Sequence, residues 1–170
     1  MKLKIAITDA CIFIDLFELG LVNEFFQLEL DIHTTSFVFF ELYSEQQQIL
    51  KAYQSVERLF IHNLKEDDFL KIQSEQYPKS LSETDKTVLH IANKLNACVL
   101  SSDKTVRNYA KNKEIEYHGM IWIFDKLLDA NIISSKHAAL KLEELVATNF
   151  IFQNNKPLVS EIEKRLKIWR

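Results

Sequence analysis

Short apolar runs that each pass directly into a helical pattern are what most restrict the fold of this chain. Residues 3–8 (LKIAIT) read as a buried strand, followed by a helix from about Cys11 to Leu19 in which Ile12, Phe13, Leu16 and Phe17 recur at helical spacing. A short strand near Asp31 to Thr34 leads into a helix within TTSFVFFELY. A further strand is expected at Arg58 to His62, and then a helix from Glu66 to Tyr77 that stops at Pro78. From Ser82 onward the pattern sharpens into a helix to about Leu95, strand Ala97 to Leu100, helix Lys104 to Asn112 and strand Ile115 to His118. Gly119 then opens a series of helices at Ile121 to Ala130, Lys136 to Ala147 and Val159 to Ile168. Such alternation predicts a three-layer α/β/α arrangement with a central, mainly parallel sheet and a helical C-terminal tail. The expectation is a single domain over residues 1–170, with a core of about 3–130 and an extension of about 131–170.

Composition removes several function classes. Only two Gly and two Pro occur, so there is no glycine-rich phosphate loop and no dinucleotide fingerprint. Apolar runs are broken by charge well short of a membrane span, and Asp9 and Asp15 fall where a signal peptide would be uncharged. A soluble, cytoplasmic protein without membrane contact is expected. Cys11 and Cys98 read as small buried thiols, and His33, His62, His90, His118 and His137 form no ligand pair at helical spacing, which argues against structural zinc.

Four acids stand where strand turns into helix: Asp9, Glu41, Asp85 and Asp103. One acid at such a junction is ordinary helix capping, whereas four together can form a cluster of oxygen ligands. Two carboxylates about 5 Å apart repel by roughly 3 kcal/mol at an effective dielectric of about 20, so a gathered set predicts a bound divalent cation, and hard oxygen donors favour magnesium or manganese. Parallel sheets bind ligands at the carboxyl ends of their strands, where Asp9 and Asp103 are placed. Asp85 belongs to the first turn of its helix, and Glu41 must reach the same rim by leaning toward its helix N-terminus. The segments TDKTV at 84–88 and SDKTV at 102–106 repeat one local pattern, Asp before Lys-Thr at a helix entrance.

The formal net charge of −3 becomes +1 with two divalent ions, and residues 104–113 carry Lys104, Arg107, Lys111 and Lys113 with no acid. Lys86, Lys104 and Arg107 are candidates for binding substrate phosphates, against the alternative of a solvated helix face. Asp15 and Asp125 read as surface residues, and Trp122 and Trp169 as core and tail-docking residues. Phe37, Val38, Phe39, Phe40, Leu42 and Tyr43 are apolar around most of a helix, which fits either a partner surface or burial on two sides.

These stretches resemble the PIN-domain ribonucleases, and in particular toxins of the VapC kind from type II toxin–antitoxin pairs. ITDACIFIDL resembles the family's first strand and acid, TTSFVFFELY its second acid, and LSETDKTVLHIANKLNACVLSSDKTVRNYA its third and fourth. EYHGMIWIFDKL resembles a later strand and helix. The resemblance implies a metal-dependent endoribonuclease hydrolysing RNA phosphodiester bonds, with Asp9, Glu41, Asp85 and Asp103 holding one or two Mg2+ or Mn2+ ions while water attacks phosphorus in line. It implies supporting hydrogen bonds from Ser101 or Ser102, an RNA substrate, and as partners an antitoxin protein or a second copy of the chain. Glu83 competes with Asp85 as ligand, and the LS-x-x-D spacing favours Asp85. Cys11 departs from the pattern, since many members carry Asn or Ser two residues after the first acid. That departure keeps open an alternative, a catalytically weak or inactive PIN-like domain that binds RNA or protein.

Overall fold

A computed structural model describes residues 2–170. Five strands, β1 (Lys4–Thr8), β2 (Leu30–Thr35), β3 (Leu59–His62), β4 (Cys98–Leu100) and β5 (Tyr117–His118), form one sheet in the order β3-β2-β1-β4-β5. Every pairing is parallel. Strand order therefore reverses direction at β1: the chain first steps outward through β2 and β3, then returns to the other side of β1 for β4 and β5. The crevice at the carboxyl ends of β1 and β4 is the switch point at which such sheets bind ligands.

Helices connect and flank the strands: α1 (Ala10–Leu19), α2 (Val22–Phe26), α3 (Ser36–Glu41), α4 (Ser44–Ser55), α5 (Glu66–Ser74), α6 (Glu83–Leu95), α7 (Lys104–Asn112), α8 (Met120–Asp129), α9 (Ser135–Thr148), α10 (Phe150–Asn154) and α11 (Lys156–Trp169). The expected parallel α/β fold with a helical C-terminal segment is the one observed. Elements the sequence did not announce are α2, α4 and α10. Two of them are five residues long, and α4 buries only Leu50, so none presents an apolar stripe that periodicity could detect. The helix expected to run to Tyr77 ends at Ser74, with Glu75 already extended.

Contacts divide the chain into two compact units, Met1–Ile14 with Glu29–Met120, and Asp15–Leu28 with Ile121–Arg170. In the first, Ala6, Ile7, Val38, Leu50, Val88, Val99, Leu100 and Val106 are fully buried, and α6 packs on β1, β2 and β4. Asn96 ends α6 in the left-handed conformation, φ 51°, which lets the chain turn at once into β4. In the second unit Leu16, Leu21, Phe25, Phe124, Leu127 and Leu142 are fully buried. Its last helix is held by Trp169, which packs 6.3 Å from Phe124, and by Arg165, whose guanidinium donates to both Asp125 oxygens and to Glu161. Asp125 is thus a structural anchor. Asp15, expected at the surface, is instead 5% exposed and accepts from the Asn149 amide at 3.2 Å. Among the described residues no helix is long and apolar enough to cross a membrane.

Candidate active site

Asp9 and Ser101 are the first residues beyond the paired ends of β1 and β4, since Thr8 opposes Leu100 and the Asp9 amide donates to the Leu100 carbonyl at 3.1 Å. Parallel pairing of two short apolar strands is what delivers these two positions side by side. Asp9 is 4% exposed and Ser101 is fully buried. The Ser101 hydroxyl hydrogen-bonds the Asp9 carboxyl and accepts from the Asp103 amide at 3.0 Å, so it links the acid after β1 to the acid after β4.

Cys11 closes the other side of Asp9. Its sulfur lies 3.0 and 3.1 Å from the two carboxyl oxygens and accepts from the Ser102 amide at 3.4 Å. The thiol is half-buried at the site rather than a core filler, and burial followed by the Asp9 charge pushes its acidity far up, which keeps it a neutral S–H donor. Ile12 adds a backbone N–H to Asp9 Oδ1 at 3.1 Å. Burial raises the Asp9 carboxyl to about 6 even though these three donors favour its charged form, and the negative charge of Asp85 adds to the rise.

Asp85 and Asp103 are both engaged as helix caps. Asp85 completes a capping box with Ser82, its Oδ2 accepting from the Ser82 amide at 3.1 Å while the Ser82 hydroxyl accepts from the Asp85 amide. Asp103 is the N-cap of α7, its Oδ1 accepting from Thr105 and Val106 amides at 2.8 and 3.2 Å. Each cap uses one oxygen and leaves the second without a hydrogen bond among the described residues. Glu41 is the exposed last residue of α3 and has no hydrogen bond or ion pair among the described residues. Its helix is anchored beside α6, because Thr35 caps α3 and shares a 3.0 Å hydroxyl contact with Thr87. The geometry therefore joins Asp9, Ser101 and Asp103 through hydrogen bonds and brings Asp85 within electrostatic reach of Asp9. It leaves Glu41 outside that network. Among the described residues no three carboxylates, imidazoles or thiols are placed as they stand to hold a metal ion.

A family model described as a PIN domain matches residues 5–167. The chain belongs to the PIN-domain family. PIN domains are typically nucleases and generally use divalent metal ions, so this is the fold of a nuclease family. Among solved structures the chain is similar to a PilT N-terminus domain protein from the hyperthermophilic archaeon Sulfolobus solfataricus P2, at 18% identity over 73% of this chain and 93% of that one, with a TM-score of 0.46. No curated protein matches the sequence.

For a PIN domain the donors at this crevice suit a hard cation in kind: carboxylate oxygens around a buried acid that no lysine or arginine neutralises, with cap residues that each keep an oxygen open. The Ser102 hydroxyl, beside them in sequence, is buried without a partner.

Of the basic candidates, Lys86 pairs with exposed Glu83 at 2.7 Å, and Lys104 is exposed with no ion pair among the described residues. Arg107 folds back on the site, donating to the Ser101 carbonyl at 3.2 Å and lying 5.1 Å from the centre of the Tyr117 ring. Gly119 leaves it that room, since a Cβ there would stand 2.7 Å from Arg107 Nη1. Sequence inspection offered no signal for this arrangement, which depends on Tyr117 and Gly119 crossing over α7.

Proposed function

We propose that this PIN domain is a metal-dependent endoribonuclease that hydrolyses RNA phosphodiester bonds. The observation that carries the reading is the buried Asp9 carboxyl, joined through Ser101 to Asp103 at the switch point of a parallel sheet. Asp9, Asp85 and Asp103, with Glu41 from α3, would hold one or two Mg2+ or Mn2+ ions. Such an ion supplies Lewis acidity at the phosphoryl oxygen and makes water acidic enough to attack. The chain's own residues do the rest. Cys11, Ser101 and the Ile12 amide fix the Asp9 carboxylate. Arg107 braces the Ser101 carbonyl, and Lys104 and Lys86 offer charge to the flanking phosphates once Lys86 leaves its exposed pair with Glu83.

A toxin role belongs to the same proposal. Phe40 and Tyr43 are 73% and 77% exposed while their neighbours Val38, Phe39 and Leu42 are buried. The apolar segment around α3 thus serves the core and still offers two aromatic rings to an antitoxin or a second copy. A second reading, a PIN-like domain that binds RNA or protein without cutting it, is favoured by one observation: Asp85 and Asp103 already act as caps. Incubation of single-stranded RNA with the protein and Mg2+ or Mn2+ separates the two. Cleavage that disappears with EDTA and in Asp9→Asn supports the nuclease, and intact RNA under every metal condition supports the non-cutting domain.

A further inference from the structure

At the far ends of α6 and α7 from the candidate acids lies a groove of about 520 Å³ between α5, α6 and α7. Asn93 in its wall is eight residues beyond Asp85 along α6, and Lys113 is ten beyond Asp103 along α7, so the groove begins about 12–15 Å from the carboxylates at 1.5 Å per residue. Its size is in the range of small-ligand sites.

Its chemistry is that of a nucleotide pocket. Lys71, Lys94 and Lys113 line it together with Tyr77 and Tyr109, whose ring centres are 4.9 Å apart. Lys94 donates to buried Asp68 at 3.1 Å, and Lys113 pairs with Glu75 at 3.2 Å. Both lysines are half-exposed, so an arriving phosphate competes with weak pairs. Lys71 is exposed and has no ion pair among the described residues. Tyr109 is largely buried behind Tyr77, and Tyr77 is partly open to solvent, which presents one aromatic face at the groove. Between this groove and Asp103, Lys104, Arg107 and Lys111 recur at i, i+3 and i+7, one side of α7 with no acid in the helix.

We propose that this groove binds a nucleotide unit of single-stranded RNA, its phosphate on Lys71 and Lys113 and its base against Tyr77, and that the strand reaches the candidate carboxylates along the basic side of α7. Alternating cation and aromatic contacts are how proteins hold single strands without reading sequence. The pocket's affinity for a nucleotide stands on its own residues. Its role as a substrate track rests on the nuclease reading above.

The test is fluorescence anisotropy with a labelled single-stranded RNA of about ten nucleotides, competed by AMP and by inorganic phosphate, on the full chain without added metal. The Lys71→Ala/Lys113→Ala double variant is expected to bind at least about tenfold more weakly, and its log–log salt dependence to fall by about 1.4 relative to the unsubstituted protein. Tyr77→Ala is expected to weaken binding with the salt slope unchanged, with circular dichroism confirming a folded chain. AMP is expected to compete better than phosphate. Unchanged affinity and slope in the double variant overturn the proposal, as does a protein that binds no RNA. Equal competition by AMP and phosphate overturns the role of the tyrosine. If RNA binds through the groove but is never cut with metal present, the nuclease reading fails while the groove stands.

Discussion

The Cys11 sulfur stands 3.0 Å from Asp9 Oδ1 and 3.1 Å from Oδ2, so the residue that departs from the common family pattern still donates to the first acid. A single S–H bonds one oxygen at a time, and the thiol is held in place by the Ser102 amide. Cys11→Ser keeps a donor and is expected to retain metal-dependent cleavage within about threefold. Cys11→Ala removes it and is expected to lower kcat about tenfold or more, the usual size of an outer hydrogen bond to a metal-binding carboxylate. Parallel kcat measurements on the two variants check this.

Asp15 gives stability a pH dependence of its own. Burial pushes its carboxyl up to about 6, against 3.8 when free. The folded chain therefore binds the proton more tightly, and folding is penalised increasingly as pH rises from about 4 through 6, by up to about 3 kcal/mol above that window. Asp15→Asn is expected to raise stability at pH 7–8 and to change little at pH 4. Urea unfolding at the two pH values measures the difference.

The His33–His62 pair acts in the opposite sense. His33 Nδ1 and His62 Nε2 face each other at 2.8 Å across β2 and β3, and between them they accommodate one proton. Burial, then the neighbouring His33 and Lys94, lowers the His62 pKa, with Asp68 and Asp31 opposing. A lowered folded pKa makes stability full above the unfolded value near 6.5 and lost as pH falls through the folded one. His62→Gln is expected to flatten that loss between pH 7 and 5, seen as reduced pH dependence of hydrogen exchange in β3.

How far the chain announced itself differs by element. β1 and β4 were legible because each is an apolar run ending in an acid or a serine, and α6 and α7 because apolar periodicity follows a capping signal. The same signal is ambiguous at the site: Ser82 to Asp85 is both a capping box and the spacing that resembles the family's third acid, and the structure uses it as a cap. Contacts made only by sheet pairing were invisible in one dimension, such as His33 with His62, Asp68 with His90, and Arg107 against Gly119. Buried Asp15 looked like any helical surface acid, because its partner Asn149 is 134 residues away.

Gly119→Ala tests the placement of Arg107. The new methyl would stand 2.7 Å from Nη1, the end of a movable side chain, so the guanidinium should give way rather than the backbone. The expected cost is about 1 kcal/mol, with KM for RNA raised more than kcat is lowered. Thermal melts and steady-state kinetics on the variant report both quantities.

The central claim is that carboxylates from separate strands and helices serve one cation at the crevice between β1 and β4. Calorimetric titration of Mn2+ into the protein and into Asp9→Asn and Asp103→Asn tests it most directly. One or two ions per chain, with affinity lost in both variants and folding retained, is the predicted result. Equal Mn2+ binding by all three proteins, or none by any, would contradict it.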